Sequence, residues 1–228
     1  MYASLDRVDI MSEGEGGRPW YIQTDHRAAD EIEQTAELST VFALLRILNA
    51  RRLADSRGED PLLLYVMTSP PPAFLSQAIA AAGGRVQIGR GAPEQLPANV
   101  PALDELLQAA FAALAQRTAD DNGVPVSIDG LADVETALAA DPISAEEDEI
   151  AYWTTVVSLG ALGGEVIRAA NGGRWAAGGR GTLPVALSTS FNGDEKSLVN
   201  PLGKAIKLLA NGEEDSLVYL VRLVTSKP

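Results

Sequence analysis

The stretch from Ser144 to Trp175 constrains the fold more than any other part of the chain. Its pattern predicts a long helix, a glycine stop and the beginning of a strand, in the letters SAEEDEIAYWTTVVSLGALGGEVIRAANGGRW. From Ile150 onward the helix is apolar on almost every side, and such a helix is normally buried on more than one face. We therefore expect this segment to be the central helix of a domain.

Both ends of the predicted helix carry stop signals. Ser144, with Glu147 three residues later, matches a capping box, and residues 146–149 place negative charge at the positive end of the helix dipole. Asn171 and the two glycines after it tolerate a left-handed stop. Inside the helix, the glycines at 160, 163 and 164 each cost about 1 kcal/mol against alanine. Close approach by another backbone is the compensation that we expect.

Composition excludes several classes of function. The chain has 228 residues, a net charge of −13, no cysteine and one histidine. The acidic balance argues against a nucleic-acid partner, which would require clustered Lys and Arg. The lack of cysteine excludes disulfides and thiol catalysis, and a single histidine excludes a multi-histidine metal site. We expect no cofactor and no bound metal.

The sequence gives no reason to expect a membrane protein. The first residues lack the basic start and apolar run of a signal peptide, and charges or glycines interrupt each long apolar run. We expect a soluble, cytoplasmic protein with no membrane partner.

Apolar periodicity predicts an α+β protein with two domains. The first, residues 1–90, is predicted to be a ββαβαβ layer of sheet and helices, in which the last strands are parallel. Its predicted elements are a hairpin over 5–23, a helix over 28–54, a strand over 62–67, a helix over 74–82 and a strand over 86–88.

A linker rich in proline and glycine is predicted over residues 91–102, followed by a mostly helical domain over 103–228. This second domain is expected to hold the central buried helix and a β-hairpin. Its other predicted elements are helices over 103–117 and 131–139, a short strand over 124–128, a hairpin over 175–190 and a helix capped by Asn200 before Pro201. The segment 216–224 suits a helix or a strand.

Two parts of the chain resemble uncharacterised bacterial modules. The letters VDIM, YIQTDH and LLRILNA, between Asp6 and Gly84, resemble one family, which usually has another aromatic where this chain has Ala28 and Ala29. The letters GGEVIRAANGGRW and NPLGKAIKLLANGEEDSL resemble a second module, in which a helix ending in GG-x-W packs against a hairpin. Neither resemblance implies an activity.

One candidate site surrounds the only histidine. His26 lies among Asp25, Asp30 and Glu31, so it could act as a general base or share a metal with Asp30. Two protein ligands are too few for a typical zinc site. We favour the simpler interpretation, in which Asp25 caps the long helix and His26 is exposed.

A second candidate site follows the narrow polar stripe of the central helix. Glu165 and Arg168 share this stripe, and Arg174 and Trp175 come just after the helix stop. An arginine here could pair with an acidic ligand through its two parallel donors, or the charges could form an ordinary surface pair. Trp175 could line a cavity, although an aromatic at such a position is more often core. These four residues are the predicted binding residues.

The glycine-rich loop over 172–181 could hold an anion through backbone amides and Arg180, but a hairpin turn explains it as well. No motif indicates catalysis. We therefore interpret the chain as a non-catalytic interaction or accessory protein that binds a basic protein partner. The alternatives are a small-molecule binding protein or hydrolase that uses Glu165 and Arg168, and a structural homodimer that pairs through the central helix or the segment 216–224.

Overall fold

A computed structural model describes residues 5, 8–14, 17–178, 181–191 and 194–226, with the side chains of 194–196 outside the description. The chain forms two compact units that divide between Leu106 and Leu107. Both combine helices with a sheet, so the prediction of an α+β protein is confirmed. The division falls a few residues after the predicted linker.

The first unit holds a four-stranded sheet in the order β1-β2-β3-β4. Strands β1 and β2 pair in antiparallel fashion, whereas β2, β3 and β4 run parallel, with helices in the connections. The ββαβαβ prediction is therefore confirmed. Its elements are β1 (Ile10–Glu13), β2 (Pro19–Asp25), α1 (Ala29–Gln34), α2 (Ala36–Arg57), β3 (Leu62–Met67), α3 (Ala73–Ala81) and β4 (Arg85–Ile88).

Two details of this unit differ from the predictions. The first strand begins at Ile10, later than expected. The predicted long helix is divided at Thr35, whose backbone leaves helical geometry at φ −119° and ψ 38°. The Thr35 hydroxyl donates to the carbonyl of Glu31 at 2.9 Å and contacts the Ser39 hydroxyl at 3.0 Å. The Thr35 hydroxyl thus links the end of α1 to the first turn of α2.

The second unit packs helices around one central helix and a small antiparallel sheet. Its elements are α4 (Leu103–Asn122), whose first four residues precede the division, α5 (Ile128–Ala140), α6 (Glu149–Asn171), β5 (Arg174–Ala177), β6 (Val185–Phe191), β7 (Asp194–Val199), α7 (Pro201–Asn211), a 3₁₀ turn (Gly212–Asp215) and α8 (Leu217–Thr225). Helix α6 contacts α5, α7, α8 and β6, so the prediction of a buried central helix is confirmed.

Three local predictions for this unit are corrected. The hairpin gains a third strand, β7, so the sheet has the order β5-β6-β7. Residues 124–127 form no strand, because Ser127 caps α5 by accepting from the amide of Gly130 at 3.1 Å. The capping box at Ser144 is wrong as well. Helix α6 begins after Asp148, whose carboxylate accepts from the amides of the second and third helical residues at 3.0 and 2.9 Å.

The predicted cap of α7 is confirmed, since Asn200 accepts from the amide of Gly203 at 2.8 Å. The segment 216–224, for which the sequence left helix and strand open, is helical, and Ser216 caps it by accepting from the amide of Tyr219 at 3.2 Å. Both caps satisfy amide groups that a helix start leaves without partners.

The glycines of α6 provide the close approaches that were expected, although only one involves a backbone. A Cβ at Gly160 would lie 2.9 Å from the Cα of Leu202 on α7. At Gly163 and Gly164 the neighbours are the side chains of Leu217 and Trp175. The helix therefore packs closely against α7, the start of α8 and the first strand of the small sheet.

Candidate functional site

Three of the four predicted binding residues meet in the second unit, between α6 and β5. Glu165 is buried and accepts from Arg168 through three short contacts of 2.7 to 3.0 Å. The indole N–H of Trp175 donates to the same carboxylate at 2.9 Å. The hydrogen bond to Glu165 raises the pKa of Arg168, against the opposite effect of partial burial. Both carboxylate oxygens thus have partners from the chain itself.

Trp175 is a core residue. Its ring stacks on Phe111, with centroids 4.1 Å apart, and its carbonyl accepts from the side chain of Gln108 at 2.8 Å. Arg174, the fourth predicted residue, is exposed on the preceding position of the strand, and successive strand residues point to opposite faces. Glu165 therefore has a structural role, because its carboxylate links α6 to β5 through Trp175. The alternative of small-molecule binding at Glu165 and Arg168 stays a prediction.

The histidine site of the first unit has a different arrangement from the expected one. His26 is exposed, as we expected, but Asp25 is buried at the end of β2 and does not cap the helix. Its carboxylate binds Arg27 at 2.6 Å and accepts from the hydroxyl of Tyr65 at 3.1 Å. Burial raises the pKa of Asp25, but the hydrogen bonds and charge of Arg27 outweigh it and hold the pKa below its usual value.

A second buried ion pair lies in the same unit. Arg46 on α2 is fully buried, binds Asp9 at 2.5 Å and donates to the carbonyl of Thr24 at 2.8 Å. Its guanidinium also lies 5.5 Å from the ring centre of Tyr65. The two pairs form a network that joins the N-terminal segment, β2, β3 and α2. Removing one partner from such a pair is costly, so this network has a structural role.

The predicted anion site in the glycine-rich loop falls partly outside the described residues, since Gly179 and Arg180 are among those left undescribed. Within the described part of the chain, no group of three or more acidic or histidine side chains is placed to hold a metal ion.

A groove in the second unit was not predicted from the sequence. It has a volume of about 570 Å³, and its walls come from α5, the segment after α5, the end of α7, the 3₁₀ turn and α8. Pockets of this size are typical of ligand-binding sites. Its apolar lining includes Leu138, Ile143, Leu208 and Leu209, each half-buried.

The groove also carries charged side chains on its walls. Glu135 and Glu213 are acidic, and Arg222 on α8 is basic. Glu135 is held in place, because it accepts from the hydroxyl of Ser216 at 2.8 Å and from the amide of Val218 at 2.9 Å. It therefore completes the cap of α8 from a neighbouring helix.

Sequence reasoning missed this groove because its walls lie far apart in the chain. The amphipathic pattern of α7 and α8 was visible, but a periodic apolar face does not reveal which part of it stays uncovered. Leu202 and Ala205 of α7 are buried, whereas Leu209 of the same helix lines the open groove.

Helix α6 is long and apolar enough to pass a length-and-composition test for a membrane span, contrary to the expectation that no segment would. Of its most apolar window, 67% is buried inside the protein, as is typical of a core helix. Comparisons with protein-family models, with curated proteins and with solved structures found no match.

Proposed function

We propose that this chain is a non-catalytic interaction protein of the bacterial cytoplasm that binds a basic partner protein through the acidic surface of its second unit. The observation that carries the proposal is the charge of residues 118–167. This segment contains eleven Asp and Glu residues and no Lys or Arg, while Arg117 and Arg168 at its two borders pair with Asp121 and Glu165. Relative to its length, the excess of negative over positive charge is therefore larger in this segment than in the chain as a whole, which has 31 Asp and Glu against 18 Lys and Arg.

Most of these carboxylates are exposed. They lie on the end of α4, on α5 and in the connection to α6. The exposed ones are Asp120, Asp121, Asp129, Asp133, Asp141, Glu146, Glu147 and Asp148. An excess of exposed charges of one sign attracts an oppositely charged partner and raises its association rate, and salt weakens this effect. The groove adjoins this surface, since Asp141 directly precedes two of its lining residues, Pro142 and Ile143.

Affinity capture from the host at moderate salt tests the proposal, with two variants of equal charge change. The first, Asp141→Asn with Glu146→Gln and Glu147→Gln, removes three negative charges from the acidic surface. We expect the wild-type chain to retain one basic protein in stoichiometric amount and to release it as salt rises, because screening shortens the range of exposed charges. The first variant should retain much less.

The control variant removes three exposed carboxylates from the first unit, by Glu13→Gln, Glu33→Gln and Asp55→Asn. It should capture the partner as the wild-type chain does. Recovery of no partner by the wild-type chain, or equal loss in both variants, would contradict the proposal.

A structural homodimer is a second candidate, because α8 exposes two apolar side chains one turn apart. Tyr219 is 66% exposed and Leu223 is 47% exposed. A two-fold contact between two copies of α8 would cover both residues. Analytical ultracentrifugation at micromolar concentration distinguishes a dimer from a monomer. A dimer that Tyr219→Ser with Leu223→Ser converts to a monomer would support this candidate, whereas a wild-type monomer would exclude it.

A further inference from the structure

We infer that the groove between α5, α7 and α8 receives the apolar face of a basic amphipathic helix from the partner protein. The inference rests on the proposed function, for which it names the binding site and the chemical class of the bound segment. It depends on three properties of the groove, namely its apolar floor, its small residues and the charges around it.

The floor of the groove suits aliphatic side chains. Leu138, Ile143, Leu208 and Leu209 line it from three separate segments, and all four stay half-exposed to solvent. Covering such surface favours a complex, because it removes apolar area from water. A guest that presents a few leucine-like side chains on one face would cover this floor.

Small residues on the walls leave room for a guest backbone. Ala132 and Ala139 line the groove from α5, and Gly212 lines it from the 3₁₀ turn. Small side chains at a contact let two backbones approach closely. No described strand contributes to the lining, so the guest has no sheet edge to extend. A helix lying in a groove of helices is the recognition mode that fits.

The charges around the groove select a basic guest. Glu135 and Glu213 lie on its walls, with Asp141 and Glu214 as exposed neighbours of the lining along the chain. Among the described residues that line the groove, Arg222 is the only basic one. Lysine or arginine residues that flank the apolar face of a guest helix would meet these carboxylates. A second copy of this chain is less suited, since each copy has a net charge of −13.

A peptide-binding experiment on the full chain tests the inference. The probe is a labelled synthetic peptide of about 18 residues, long enough to form a helix. Leucine recurs along the peptide with the spacing i, i+3, i+4 and i+7, and lysine occupies most other positions. The control peptide has the same composition in scrambled order. Fluorescence anisotropy should show the patterned peptide binding about tenfold more tightly, a difference of about 1.4 kcal/mol.

Two matched variants locate the binding. Ala139 and Ala137 are both exposed on α5, two residues apart, but only Ala139 lines the groove. Ala139→Arg fills the groove and should weaken binding of the patterned peptide about tenfold, while Ala137→Arg adds the same charge and should leave it nearly unchanged. Thr136→Arg, on the same wall as Ala139, provides a second groove variant that should behave like the first.

The groove assignment is overturned if both peptides bind equally well, or if the groove variants and Ala137→Arg weaken binding by the same factor. The proposed function still stands in that case if capture of the natural partner is lost in the acidic-surface variant. A dimer in sedimentation that Ala139→Arg dissociates and Ala137→Arg does not would also overturn the assignment, since the guest would then be a second copy.

Discussion

Replacing Gly164 by alanine should destabilise the second unit, although alanine is the better helix former. A Cβ at this position would lie 2.2 Å from Cζ2 and 2.4 Å from Cη2 of Trp175. Contacts this short require one side to move. Trp175 has little freedom to do so, because Phe111 stacks on its ring and Glu165 holds its indole nitrogen.

The size of the effect follows from two opposing contributions. An extra methyl group in a packed core costs about 1–3 kcal/mol, and a rigid neighbour places this site at the upper end of that range. Replacing glycine by alanine inside a helix stabilises that helix by about 1 kcal/mol. The expected net loss is about 2 kcal/mol, which for a chain of this length lowers Tm by about 4–8 °C.

Gly163, the preceding residue, provides the control. A Cβ there would lie 2.8 Å from Cδ2 and 3.0 Å from Cγ of Leu217, which are longer contacts than those at Gly164 and involve an aliphatic side chain in place of a stacked ring. Gly163→Ala should therefore stay within about 1 kcal/mol of the wild-type stability, since helix propensity offsets the crowding. Urea and thermal unfolding, followed by tryptophan fluorescence, measure both variants.

A double substitution tests the cause. Trp175→Phe shortens the aromatic side chain, so Gly164→Ala should cost less in that background than in the wild-type chain. The reasoning is refuted if Gly164→Ala is as stable as the wild-type protein, or if its cost is the same in the Trp175→Phe background as in the wild-type chain.

Three further predictions concern caps and ion pairs. Asp148→Ala should lower the free energy of unfolding by about 1 kcal/mol and Ser144→Ala by much less, because only Asp148 caps α6. A larger loss of stability for Ser144→Ala than for Asp148→Ala in urea unfolding would contradict this. Because the folded-state pKa of Asp25 is low, its carboxylate stabilises the protein above about pH 4, and this stability is lost as pH falls through the folded-state pKa. Arg27→Ala should therefore move the acid unfolding transition to higher pH. Circular dichroism would record the shift, and an unchanged transition would contradict the prediction. Glu135→Ala should cost about 1–2 kcal/mol and increase amide hydrogen exchange at the start of α8, whereas unaltered exchange would count against the cap.

The sequence predicted the order and type of most elements, because apolar periodicity and stop signals act locally. The predictions of parallel crossovers in the first unit and of a helix capped by Asn200 were both correct. Errors arose where two local signals compete. Ser144 and Asp148 both suit a helix cap, and which one serves depends on where the helix packs. Residues 124–127 have strand-like composition but lead into the cap of α5.

The candidate sites were less accessible to sequence reasoning. Glu165 and Arg168 were correctly placed on one helix face, but their spacing could not show that Trp175 would complete the bonding of the carboxylate. Asp25 was expected to cap a helix, whereas burial beside Arg27 makes it part of a core network. The groove depends on segments that fold together from positions 132 to 222, and no short motif marks such a surface.

The salt dependence of partner affinity tests the central proposal most directly. The captured partner would be titrated against the wild-type chain and against the variant with Asp141→Asn, Glu146→Gln and Glu147→Gln, by calorimetry at low and at high salt. An acidic recognition surface predicts a wild-type Kd that rises steeply with salt, and a variant with weaker binding and a shallower dependence. A Kd that is independent of salt and equal in the two proteins would contradict the proposal.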